Sequence, residues 1–195
     1  MKIKLDTKLA YLIGLWKARK TTIGLGVGGD EQINQIFIEK SAERLGVSPN
    51  NFKFEGKRVF FFHTAYRKYF QETEEGELDI FRRKNEVASA FLAGYFDGNG
   101  GIEGERNDRI YLSRAGDNEK ALIERLGFKT VFRSGKLYMI KPKEFIFFIL
   151  PFISHPENKR KLGALVQSGN ERDPRLQLRS GPPGQEHSVG TAYVK

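Results

Sequence analysis

The chain has 195 residues, no cysteine, three histidines and a net charge of +9. The missing thiols exclude disulfides, thiolate zinc sites and a Cys nucleophile, and His63, His155 and His187 have no metal-ligand spacing, so no metal site is expected. A hydrophobic content of 39% with 16 Phe suits one packed domain, or two small ones sharing a core, and a sequence pI near 9.7 favours a polyanionic partner.

In chain order, Asp6 or Thr7 can cap a helix running to about Ala18. A β-rich segment, Thr21 to Gly28, follows. Asp30 then caps a second helix, with Ile33, Ile36, Phe37 and Ala42 near helical spacing, and Gly46 stops it. Phe52 to Phe62 reads as a hairpin around Glu55-Gly56-Lys57, with Phe60 to Phe62 assigned to the core. Thr64 starts a helix carrying Tyr66, Tyr69 and Phe70. Gln71 to Lys84, acidic and then basic, reads as a solvated linker.

A further helix is expected from about Asn85 to Asp97, then strands near Gly101–Glu105 and Arg109–Ser113. Asp117 caps a helix ending at Gly127, and a hairpin covers Lys129–Phe132 and Lys136–Ile140. Pro142 suits the first turn of a helix carrying Phe145, Phe148 and Ile149, and Asn158 to Gln167 can form one more. From Ser168 onward Gly, Pro, Ser and charge dominate, which reads as a flexible basic tail, with Arg172, Arg175 and Arg179 able to follow a phosphate backbone. The longest apolar run, Phe145 to Ile153, is interrupted by Pro151 and falls short of the roughly 20 residues a bilayer needs. The first residues carry no signal-peptide pattern. A cytoplasmic or nucleoid-associated chain is expected, neither secreted nor membrane-bound.

The two halves of this pattern repeat. Glu43-Arg44-Leu45-Gly46 returns as Glu124-Arg125-Leu126-Gly127, Ala10-Tyr11-Leu12-Ile13-Gly14 resembles Ala90-Phe91-Leu92-Ala93-Gly94, and the turn at Gly56 matches that at Gly135. The order is the same and the offset nearly constant, which points to duplication. The expected organisation is residues 1–76 as one repeat, 77–84 as linker, 85–167 as the second repeat and 168–195 as tail. Each half approximates αββαββα, with the first hairpin of half one unusually short.

The first helix of each half has a shared peculiarity. Ala10, Gly14 and Ala18 stand four apart, as do Ala90, Gly94 and Gly98, so each helix presents a stripe of its smallest side chains. Glycine inside a helix costs roughly 1 kcal/mol relative to Ala. Close approach of the two backbones about a pseudo-two-fold axis is the gain that offsets it.

Leu92-Ala93-Gly94-Tyr95-Phe96-Asp97-Gly98-Asn99-Gly100 resembles the LAGLIDADG motif of homing endonucleases and related maturases, which are intron- or intein-associated. Leu12-Ile13-Gly14-Leu15-Trp16-Lys17-Ala18-Arg19-Lys20 is a far weaker copy. The resemblance covers about residues 5–167. It implies an α+β fold of two pseudo-symmetric αββαββα halves, packed through the motif helices in one monomer, with β-sheets forming a concave saddle along duplex DNA. It also implies a pair of acids at the helix ends that hold divalent metal ions beside the scissile phosphates.

Those positions are occupied here by Asn99 and Arg19. Mg²⁺ is a hard cation that takes carboxylates, phosphate and water. Asn99 lacks the charge. A guanidinium about 5 Å from a dication repels it by roughly 6 kcal/mol at an effective dielectric of about 20, but it suits a phosphate directly. Asp97 is the residual acid, either a weak metal ligand with Glu103 or Glu105, or a helix-end hydrogen-bond partner; the second role is preferred. No cofactor is expected, and Mg²⁺ only if some cleavage is retained.

For the nucleic-acid surface, Lys17 and Lys20 lie near the helix end. Lys53, Lys57, Arg58, Arg106, Arg109, Arg114, Lys129, Arg133, Lys136 and Lys141 lie on or beside predicted strands, where basic residues can grip phosphates or enter a groove. Gly24-Leu25-Gly26-Val27-Gly28-Gly29 fits a dinucleotide-binding pattern, but it lies within a strand rather than between strand and helix. Flattening or bulging of an edge strand, or close approach of a ligand backbone, is the preferred account. The expected function is therefore nucleic-acid binding with cleavage lost or strongly reduced, as a regulator or splicing-type cofactor. Double-stranded DNA is the first candidate and structured RNA the second. An active endonuclease or nickase, and a protein-interaction scaffold, are the alternatives.

Overall fold

A computed structural model describes residues 3–104 and 109–170. Arg106, Glu105, His187 and the tail arginines fall outside the described residues. The described residues form eight α-helices and two antiparallel sheets, an α+β fold. No helix among them is long and apolar enough to cross a membrane.

Helix α1 (Thr7–Arg19) begins where the Asp6 carboxylate accepts the Leu9 N–H at 2.9 Å. Helix α5 (Glu86–Asn99) is capped in the same way by Asn85 on Ala88, at 3.0 Å. Both are apolar around most of their circumference and sit at the centre of the molecule, as a helix without a polar face must. They pack against each other more extensively than any other pair of elements. A Cβ at Gly14 would overlap the Phe91 carbonyl oxygen, and one at Gly94 would overlap that of Tyr11. The two clashes are reciprocal, so the pair has pseudo-two-fold geometry and Gly is the residue that permits it. Ala10, Ala18 and Ala90 are buried along the seam, and Gly98 lies against Ala18.

Around this pair, half one contributes β1 (Leu25–Gly28), α2 (Glu31–Leu45), β2 (Lys53–Glu55), β3 (Arg58–Phe61) and α3 (Thr64–Glu75). Its sheet has three strands in the order β1-β3-β2. The expected first hairpin is reduced to one strand, with an isolated bridge between Lys20 and Val27 in place of its partner. The glycine-rich strand is an edge, and Gly26 lacks a Cβ where Phe60 crosses it. Phe61 is in the core as expected, whereas Phe60 is buried on the outer face of the sheet, against Gly26. Phe62 departs from the expectation altogether: it is 62% exposed, because the strand ends before it.

Half two contributes β4 (Gly100–Glu103), β5 (Arg109–Ser113), α6 (Asp117–Arg125), β6 (Thr130–Arg133), β7 (Lys136–Met139) and α7 (Pro142–Ile149). Its sheet has four strands in the order β4-β5-β7-β6. The cap of α6 is Gly116 rather than Asp117, with the Glu119 carboxylate accepting the Gly116 N–H at 2.6 Å. The last helix, α8 (Pro156–Asn170), runs three residues into the segment read as tail.

The segment expected as a solvated linker is structured. Helix α3 continues to Glu75, and a single-turn helix, α4 (Glu77–Ile80), follows it. Phe81 is buried and stacks on Phe91 at 4.1 Å between ring centroids. Glu77 is also buried. Its charge suggested solvent, but a cation on α1 faces it.

Candidate nucleic-acid interface

The C-terminal ends of α1 and α5 meet, with Arg19 at the end of one and Asn99 at the end of the other. The Arg19 Nε donates to the backbone carbonyl of Gly98. Burial lowers the Arg19 pKa from its ordinary value, and the nearby Arg114 guanidinium lowers it further. Asn99 is buried, and its backbone carbonyl accepts the Ser113 hydroxyl at 2.7 Å. Arg19, Arg58 and Arg114, with Lys20 and Thr21, line an open cavity of about 220 Å³. Arg58 comes from the sheet of half one and Arg114 from the end of β5, so the cavity joins the two sheets. Arg114 holds a φ of 57°, a left-handed conformation that costs a non-glycine residue roughly 1–2 kcal/mol.

Lys17 is corrected from a surface candidate to a buried junction, whereas Asp97 takes the hydrogen-bonding role preferred for it, also in a buried junction. Lys17 pairs with both Glu77 and Glu119, all three largely buried, so its ammonium is not free for a phosphate. Burial raises the Glu77 carboxyl above its ordinary range, outweighing Lys17. Burial also opposes ionisation of Glu119, but there Lys17 and the Gly116 N–H prevail and its pKa is lowered. Asp97 accepts from the Tyr11 hydroxyl at 2.6 Å, the Ser154 N–H at 2.8 Å, the His155 N–H at 3.0 Å and the Asn158 amide at 3.0 Å. Its oxygens are occupied by protein donors and tie α5 to the segment before α8. Burial, followed by the charge of Asp97, raises the Tyr11 pKa well above the ordinary value, which keeps the hydroxyl a donor.

The remaining sequence candidates are distributed over the sheet faces. Lys20 is exposed but held at 2.8 Å by both oxygens of Glu74. Leu25, Val27, Val59 and Phe61 face the core, so alternation places Arg58, Phe60 and the cross-strand Lys53 on the outer face of half one. Lys53 stands 5.1 Å from the exposed Phe62 ring. Lys57 is in the hairpin turn, its carbonyl accepting from Gly29 at 3.0 Å.

In half two, Ile110, Leu112, Leu137 and Met139 face the core. Arg109, Tyr111, Lys136 and Tyr138 therefore face outward, and Lys129 and Arg133 share that face through their pairing with β7. Lys141 lies at the start of α7, 3.9 Å from Glu144. The Glu103 carboxylate accepts from Lys136 at 2.6 Å and from the Tyr138 hydroxyl.

Sequence reasoning missed Tyr11, Glu77 and Glu119. The available signal was a lone Lys in an otherwise apolar helix, which demands a buried partner.

No family model matches the chain, and no curated protein matches it in sequence. Among solved structures it is similar to mesophilic variants of the homing endonuclease I-DmoI, at a TM-score of 0.51 and 17% identity, over 76% of this chain and 97% of that one. At that identity the likeness speaks for architecture: the chain has the α+β fold of the LAGLIDADG homing endonucleases.

Proposed function

We propose that the chain binds nucleic acid, duplex DNA in the first place, along the outer faces of its two sheets, as a monomer with internal pseudo-symmetry. In this reading metal-dependent cleavage is lost or strongly reduced, and the protein acts as a regulator or splicing-type cofactor. The observation that carries the reading is the cavity between the helix ends, lined by Arg19, Arg58 and Arg114. Mg²⁺ requires oxygen ligands with negative charge. This donor set offers three guanidinium groups and no carboxylate, and Asn99 is neutral, so the residues do not fit the ion. Asp97 does not compensate, since protein donors occupy both its oxygens. Guanidinium groups do suit phosphate, which they bind through paired N–H donors.

The test is an electrophoretic shift with random-sequence duplex DNA and RNA in EDTA, over a series of salt concentrations. Binding should persist without divalent metal and weaken linearly in log affinity against log salt. Incubation with Mg²⁺ or Mn²⁺ should give no cleavage products. Metal-dependent cutting would overturn the loss of activity, and salt-insensitive or absent binding would overturn the nucleic-acid assignment.

A further inference from the structure

We propose that base sequence in the bound duplex is read mainly by the second half of the chain, while the first half grips its half-site with little sequence preference. The proposal rests on the nucleic-acid reading above and specifies how the two half-sites are treated. Direct readout needs hydrogen-bonding side chains at strand positions that face a groove. The register of the two sheets gives those positions, because the core-facing residues fix the opposite set.

In half one the outward positions of β1 are Gly26 and Gly28, continuing from Gly24. A whole strand therefore presents no side chain. The central strand β3 places Phe60 over that bare floor, where a Cβ on Gly26 would overlap it. Phe62 packs on Phe60 edge to face, 5.6 Å between centroids. The centre of this face is thus apolar, with Phe60 buried and Phe62 the exposed ring, and an aromatic ring in a groove discriminates little beyond a thymine methyl. Its cations lie at the margins. Lys53 stands against Phe62, and Arg58 reaches the central cavity with Arg19. Both placements suit phosphates.

Half two differs in kind. Its additional strand is a full member of the sheet, and Arg109, Tyr111, Ser113, Lys136 and Tyr138 occupy outward positions on the two central strands. They are also prearranged. Glu103 holds Lys136 and Tyr138, and the Lys136 ammonium stands 4.0 Å above the Tyr111 ring. A network fixed before binding loses less side-chain freedom on contact and sets donor and acceptor positions. A sheet face bearing such groups needs a major groove wide enough to admit a strand pair, which B-form DNA offers and the deep, narrow major groove of A-form RNA does not.

The test is selection of bound molecules from random duplex DNA and random RNA pools, followed by sequencing, for the parent chain and for Lys136→Ala and Lys53→Ala. The parent should enrich DNA sites whose base preferences cluster in one half-site. Lys136→Ala should relax discrimination within that half-site by about tenfold. Lys53→Ala should lower affinity for all sequences alike and reduce the salt slope by about one. Information spread equally over two half-sites, or preferences that follow Lys53 instead, would overturn the asymmetry while leaving nucleic-acid binding intact. Enrichment of RNA alone would overturn the duplex DNA assignment. No enrichment with preserved salt-dependent shifts would reject readout by half two, whereas loss of all shifts would reject the underlying reading.

Discussion

Lys17 and Asp97 each stand three residues beyond the glycine at which their helices touch, and they carry opposite charges. The pseudo-two-fold makes the two positions equivalent, yet each is buried against partners of its own. Lys17 faces two carboxylates, Glu77 and Glu119. Asp97 faces a hydroxyl, two backbone N–H groups and an amide. Each junction clamps a central helix to the segment that follows its own half, α4 in one case and the approach to α8 in the other.

Replacing Lys17 by Met should destabilise the chain by about 3–5 kcal/mol, because two buried carboxylates lose their counter-charge. Urea unfolding measures it. Adding Glu77→Gln and Glu119→Gln to Lys17→Met should restore most of the loss, since no uncompensated charge then remains.

Glu77 and Glu119 make opposite contributions to the pH dependence. Glu77 is raised in the folded state, so its contribution is full below its unfolded pKa of about 4.3 and is lost as pH rises through the folded value. Glu119 is lowered, so its contribution is present above about 4.3 and is lost as pH falls through the folded value. Glu77→Gln should therefore gain stability relative to the parent as pH rises from acid toward neutrality. A pH series of unfolding midpoints checks the sign, and a relative loss over that interval would contradict it.

Gly94→Ala should cost about 3 kcal/mol, the upper end of overpacking penalties, because the added methyl has backbone on its path rather than a flexible side chain. For a chain of this size that corresponds to a fall of roughly 10 °C in melting temperature. Gly14→Ala should behave alike, the contact being reciprocal.

Asp97→Asn places an amide NH₂ among groups that donate. The loss should be about 2–3 kcal/mol, with faster hydrogen exchange at the Ser154 and His155 amides. Metal-independent binding of nucleic acid should be retained, because Asp97 is turned away from the outer faces.

Arg114→Gly separates strain from function. Glycine relieves the roughly 1–2 kcal/mol strain of the left-handed backbone but loses more chain entropy on folding, so stability should rise by about 0.5–1 kcal/mol. Affinity for duplex DNA should fall about tenfold at moderate salt, with the salt slope reduced by about one. Improved stability with unchanged affinity would show that Arg114 touches no phosphate.

The local signals were legible because they are repeated and one-dimensional. Caps at Asp6 and Asp30 act within one turn, and strand alternation needs only near neighbours, so the helix starts and the strand faces could be read directly. The small-residue stripes announced a close helix pair, since nothing else accounts for Gly14 and Gly94 within helices. The charge of Gln71 to Lys84 misled, because a run of acids is soluble by default and becomes structural only when a distant cation is buried against it. Likewise Lys17 looked like a phosphate ligand from its place beside Arg19.

From the chain of letters alone come the repeated pattern, the two central helices with their small-residue stripes, and the basic Arg19 and neutral Asn99 near the ends of those helices. Tertiary structure decided which charges are spent inside the molecule and which face outward: Lys17 and Asp97 are enclosed, whereas Arg19, Arg58 and Arg114 are gathered at one cavity. The reason is that an ion pair's environment depends on packing between residues far apart in sequence. Composition fixes how many charges there are, but only the fold fixes the water and the partners that each one keeps.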